Sequence, residues 1–76
     1  MNPPPRCTVL VVDDSPENRR LFSLILRDAA CEVVEAASGT EALEVCEARE
    51  YAMILMDVHL PGMDGFETAR RIRSLP

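Results

Sequence analysis

The sequence predicts a parallel α/β unit built in the order βαβαβα. Three observations predict it. Short continuous apolar runs alternate with stretches of helical period. The two strongest apolar runs each end in aspartate, at Asp13 and Asp57. A capping residue (Ser15, Ser38 or Asp64) stands between each run and the next helical stretch. Right-handed crossovers turn such an order into a parallel sheet with helices on its faces.

Residues 7–12 form a short β-rich apolar run, read as a buried strand. Ser15 caps a helix with Pro16 at its first position, and that helix runs to about Ala30. Leu21, Phe22, Ile25, Leu26 and Ala29 make its apolar face, with Arg20, Ser23 and Arg27 opposite. "CEVVEAA" is a weaker second strand, expected nearer an edge. Ser38 and Glu41 have capping-box spacing and open a second helix. Its Ala42, Leu43 and Cys46 point inward, and Glu41, Glu44 and Glu47 point to water. "YAMILMDV" is a third strand, apolar up to Asp57, the pattern of a strand covered on both faces. "HLPGMDG" is a loop punctuated by Pro61, Gly62 and Gly65. Asp64 and Glu67 open a third helix, with Phe66, Ala69 and Ile72 expected inward.

The 76 residues make one domain. A domain near this size buries only about 60% of its unfolded surface, so marginal stability is expected. Residues 1–6, "MNPPPR", read as a flexible proline-rich lead-in, and residues 7–76 as the folded domain. The lead-in has no hydrophobic region and is not a signal peptide, which makes the cytoplasm the expected compartment. No apolar run is long enough for a membrane span. The net charge of −5 argues against a nucleic-acid or anionic membrane surface. Arg70, Arg71 and Arg73 read accordingly as a solvated helix face beside glutamates rather than as a nucleic-acid patch. All eight basic residues are arginine, and there is no lysine. Cys7, Cys31 and Cys46 have no metal-ligand spacing and read as reduced, partly buried thiols.

In an open parallel sheet, ligands bind beyond the carboxyl ends of the strands. Asp13 and Asp14 end strand one, and Asp57 ends strand three. If those strands are neighbours, three carboxylates meet at one rim, an unfavourable arrangement unless a cation neutralises them. A single acid in such a place is adequately explained as a cap or a solvated loop residue. A pair plus a third at an equivalent strand end points to a metal, and oxygen ligands suit Mg²⁺, with Mn²⁺ as a substitute.

The stretches "VLVVDDSPENR", "AASGTEALE", "YAMILMDVHLPGMDGFE" and "RRIR" resemble the receiver domain of bacterial two-component response regulators, from Thr8 onward. The resemblance implies a flavodoxin-like three-layer sandwich with strands in the order 2-1-3. It implies that Asp57 is the phosphoacceptor, taking a phosphoryl group from a histidine kinase or a phosphotransfer protein. It implies that Asp14 and Asp57 ligate Mg²⁺ directly, that Asp13 reaches it through water, and that His59 offers its backbone carbonyl. The activity implied is at most self-catalysed phosphotransfer and dephosphorylation. His59 as the general base of a stand-alone hydrolase is the weakest reading.

Receivers resembling this chain carry five βα units in the order 2-1-3-4-5, and this chain presents the first three. The resemblance places a Ser or Thr, a Lys and a switch aromatic beyond Pro76. The expectation is a truncated receiver with impaired phosphotransfer. The alternative is a non-phosphorylated interaction module that forms a homodimer through its third strand. That strand is an edge in the order 2-1-3, and its apolar run has neither lysine nor proline to discourage pairing.

Overall fold

Strand β1 (Thr8–Val12) lies in the middle of a three-stranded sheet, between β2 (Glu32–Ala36) and β3 (Met53–Met56). The computed structural model describes residues 7–76; the proline-rich lead-in lies outside the described residues. Both pairings are parallel, and the order is β2-β1-β3. Val9, Leu10, Val11 and Val12 are at most 1% exposed, as a central strand covered on both faces requires.

Successive residues of β1 serve opposite faces. Leu10 and Val12 pack with Ala36, Ala42 and Leu60, and Val45, Cys46 and Ile72 close over them. This is the side of α2 (Gly39–Ala48) and α3 (Gly65–Arg73). Val9 and Val11 pack with Val33 and Leu26, on the side of α1 (Pro16–Asp28). The result is the expected three-layer α/β sandwich.

The helix starts lie where the sequence places them. The Ser15, Ser38 and Asp64 side chains each accept a hydrogen bond from the backbone N–H three residues on. Glu41 reaches back to the N–H of Ala37, one residue before the cap, so the box is displaced by one position. At Pro61–Gly62 the chain takes the positive φ, 74° at Gly62, that follows a proline in a type II turn.

The helix faces correct the sequence reading in two places. In α1 the inward stripe is Arg19, Ser23 and Leu26, with Ser23 only 2% exposed. Leu21, Phe22 and Ile25, read as core, are 57%, 40% and 58% exposed. The helix packs on β1 and β2, and its small Ser23 lets it approach the sheet closely. In α3 the buried positions are Gly65 and Thr68, and Phe66 is 74% exposed. Here α2 and α3 come so close that a Cβ on Gly39 would collide with Thr68 Oγ1, which leaves room only for small residues at the contact. Strand β3 is also less covered than its sequence suggests: Met53 is exposed and the remaining residues are half-buried, because β3 is an edge.

Ser23 Oγ is buried without a hydrogen-bond partner. A buried, unsatisfied hydroxyl destabilises, and alanine is the better helix former. Ser23→Ala is therefore expected to stabilise the chain by about 1 kcal/mol. A urea unfolding midpoint that falls would refute this account of the α1 contact.

Candidate functional site

The site forms where the ladder runs one step past the strands. The register pairs Val12 with Ala36 on one side and with Met56 on the other. Beyond it, the Asp13 N–H donates to the Ala36 carbonyl (3.1 Å), and the Asp57 N–H donates to the Val12 carbonyl (2.9 Å). These bonds fix the Asp13 and Asp57 backbones side by side at the carboxyl rim. Asp14 follows in the turn into α1. Each of the three acids offers a carboxylate oxygen, and these atoms lie within 4.8 Å of one another. Asp13 is buried, Asp57 half-buried and Asp14 exposed.

Each buried acid is held by its neighbours. Asp13 Oδ1 accepts from the Ser15 N–H at 2.9 Å, and Oδ2 accepts from Asn18 Nδ2 at 3.4 Å. Arg19 Nη1 donates to the Asp13 carbonyl at 2.7 Å while its Nε pairs with Glu35 at 3.3 Å. Asp57 Oδ1 accepts from the His59 N–H at 2.9 Å, which draws His59 against the site through its backbone. A cleft of about 400 Å³ opens beside the acids, lined by Asp13, Asn18, Leu21, Phe22, Met56 and Asp57.

The donor set has the chemistry of a hard cation. Three carboxylate oxygens with room for water match Mg²⁺, which keeps several waters and takes only one or two carboxylates directly. The three acids named from the sequence come together. Sequence reasoning missed Asn18, Arg19 and Gly65. Asn18 and Arg19 follow Ser15 by three and four residues, on the side of α1 nearest the acids. Gly65 carried only a punctuation signal. A Cβ there would collide with the Asp57 carbonyl oxygen and Val58 Cα, so the first turn of α3 lies directly against the backbone that carries Asp57.

Residues 9–76 match the family model described as "Response regulator receiver domain". The chain belongs to the response regulator receiver domain family. The receiver is 46% identical over 65 residues to protein-glutamate methylesterase/protein-glutamine glutaminase 3 of Hahella chejuensis, a match covering 84% of the chain and 19% of that protein. Chemotaxis protein CheY4 of Vibrio cholerae superposes with a TM-score of 0.85 at 42% identity, over 88% of the receiver and 56% of that chain. Response regulator protein TrrA of Thermotoga maritima, solved in complex with Mg(2+)-BeF, gives 0.84 at 36% identity, over 88% and 58%. The chain thus spans just over half of these solved receivers and about a fifth of the curated relative. Its place is in two-component signalling, where receivers generally bind Mg²⁺ and interact with histidine kinases.

Away from the rim, Arg70 and Arg71 both pair with Glu67 on the exposed surface of the receiver's α3. The Arg71 hydrogen bond, followed by that of Arg70, holds the Glu67 carboxyl below its ordinary range. Two of the three arginines in that cluster therefore stand beside a glutamate, as the sequence suggested. Among the described residues, no helix is long and apolar enough to cross a membrane.

Gly65→Ala forces a collision with backbone rather than with a flexible side chain. The expected cost is about 1–3 kcal/mol of stability. Weaker cation binding should accompany it, because the displaced atoms are those of Asp57 and Val58. Urea titration with and without Mg²⁺ checks both effects. An unchanged midpoint would show that the α3 start is not tight against the Asp57 loop.

Proposed function

We propose that this chain accepts a phosphoryl group on Asp57 from a histidine kinase or phosphotransfer protein, in the cytoplasm, with Mg²⁺ at the acidic rim. The observation that carries this reading is the meeting of Asp13, Asp14 and Asp57 within 4.8 Å at the carboxyl end of a parallel sheet. Asp14 and Asp57 would hold the cation directly, Asp13 through water, and His59 through its backbone carbonyl; Mn²⁺ would substitute. When bound, the cation neutralises the acids and the developing phosphoryl charge.

The chain's own groups set up the displacement. The His59 N–H donates to Asp57 Oδ1, which restrains the carboxylate and leaves Oδ2 as the attacking oxygen. A carboxylate is a weak nucleophile, so alignment supplies much of the rate. The Asp57 O–P bond forms as the P–N bond of the donor phosphohistidine breaks, and the imidazole leaves with the bonding pair. Asn18 and Ser15 keep Asp13 turned toward the rim throughout. The chain has no lysine to meet the phosphoryl oxygens. Arg19, the arginine bonded to the site, is committed to the Asp13 carbonyl and Glu35.

Incubation with Mg²⁺ and acetyl phosphate should yield an adduct about 80 Da heavier in intact mass, formed on the Asp57 oxygen. The adduct should vanish in Asp57→Asn and when the metal is removed with a chelator. An adduct that survives either change would sink the assignment. A folded wild type that never forms one would leave the second reading.

That reading is a self-associating module, and specific observations favour it. Strand β3 is an edge with Met53 51% exposed, and α1 presents Leu21, Phe22, Leu24 and Ile25 to solvent. A free apolar edge is a template for strand pairing. Two copies joined antiparallel through β3 would make a six-stranded sheet about a two-fold axis. Gel filtration over a dilution series should then show a dimer that dissociates on dilution. A monomer at every concentration would rule this out.

A further inference from the structure

Cys7 and Cys31 meet at the end of the sheet opposite the acids. The register that pairs Thr8 with Glu32 sets Cys7 beside Cys31 one step earlier. The Glu32 N–H donates to the Cys7 carbonyl at 2.9 Å, so the two backbones are tied there. Both side chains lie on the α1 side of the sheet, against the Val9–Val11–Val33 cluster. Their Sγ atoms are 3.1 Å apart, and both residues are only partly buried.

The Cys31 backbone is also fixed from the helix side. Ala30 takes a left-handed φ of 65°. The Ala30 N–H bonds the Arg27 carbonyl and the Cys31 N–H bonds the Leu26 carbonyl, each at 3.0 Å. This is the two-bond Schellman ending of a helix. Strand ladder and helix cap thus hold the two cysteines in one place. A disulfide needs Cα atoms about 4.4–6.8 Å apart, and neighbouring strands lie about 4.8 Å apart. From 3.1 Å, the bond forms when the sulfurs close by roughly 1 Å.

We propose that Cys7 and Cys31 are a redox modification site, a preorganised dithiol that a hydroperoxide converts to an intramolecular disulfide linking the starts of β1 and β2. One thiolate attacks the peroxide O–O bond, giving a sulfenic acid and releasing the alcohol or water. The second sulfur attacks the sulfenic sulfur. The S–S bond forms, the S–O bond breaks, and hydroxide leaves as water with the proton of the second thiol. Two sulfurs are oxidised, one peroxide is reduced, and an added dithiol reverses the reaction. Cys46 has no part in it. It packs on the opposite face of the sheet, among the α2 contacts, where burial pushes its thiol up.

The test uses the chain treated with one equivalent of hydrogen peroxide. The expected product is a monomer about 2 Da lighter, with a Cys7–Cys31 peptide in the digest, reversed by dithiothreitol. Its thermal midpoint should rise by roughly 10 °C, because the cross-link constrains the unfolded chain. Cys46→Ser should behave like wild type, and Cys31→Ser should lose the cross-link. Three intact thiols after treatment would overturn the proposal. So would a bond through Cys46 or one between two chains. The wild-type peptide map decides the matter even if Cys31→Ser fails to fold.

Discussion

The single constraint on which the rest depends is the parallel register of β1 with β3. It pairs Val12 with Met56, and the hydrogen bond from the Asp57 N–H to the Val12 carbonyl extends it by one residue. A slip of one position would turn the side chains of β3 to the opposite face of the sheet. It would also carry Asp57 away from Asp13. The residues of β1 that this register encloses, Val9 to Val12, are at most 1% exposed. The placement of the acidic cluster is thus a by-product of core packing. The core fixes the strands, and the strands end in the acids.

Around that rim the chain supplies positioning from three directions. The first turn of α1 brings Ser15 and Asn18 to Asp13. Arg19, one residue further, reaches past the rim to bind the Asp13 carbonyl and then β2 through Glu35. From the other side, Gly65 lets α3 press directly on the backbone of Asp57 and Val58. The loop between contributes His59 through its N–H and Leu60 as a buried plug, 5% exposed, in the core on the α2 and α3 side. Few of these contacts are between charged side chains alone. Most involve backbone groups, which are less mobile than long side chains and cost less to order.

Much of this was legible in the sequence, because the relevant signals are local. The Val9–Val12 run, the caps at Ser15, Ser38 and Asp64, and the aspartates at strand ends are statements about neighbouring residues. The element order and the acidic triad follow from them. What was not legible is which face each helix turns inward. In α1 and α3 the fully buried positions belong to small residues, Ser23, Gly65 and Thr68, and α2 meets α3 through Gly39. Hydrophobic periodicity weights large apolar side chains, so it chose Phe22 and Phe66, which are exposed. Close approach between elements is a property of the pair, and a single segment does not display it. The covering of the faces of β3 was misjudged for the same reason, although its edge position was expected from the order 2-1-3.

The crossed sequence order of the sheet also fixes when the acidic rim comes into being. Pairing of β1 with β2 joins segments near in the chain, such as Val9 with Val33, across one helix. Pairing of β1 with β3 joins Val9 with Met53, across two helices and the whole of β2. The second closure orders a longer loop and therefore meets the greater entropic resistance. A partly folded chain with β1, α1 and β2 in place holds Asp13 and Asp14 but not Asp57. The third carboxylate arrives only when β3 docks. Any ligand that needs all three acids therefore recognises the chain with β1 and β3 paired and draws the folding equilibrium toward that state by mass action.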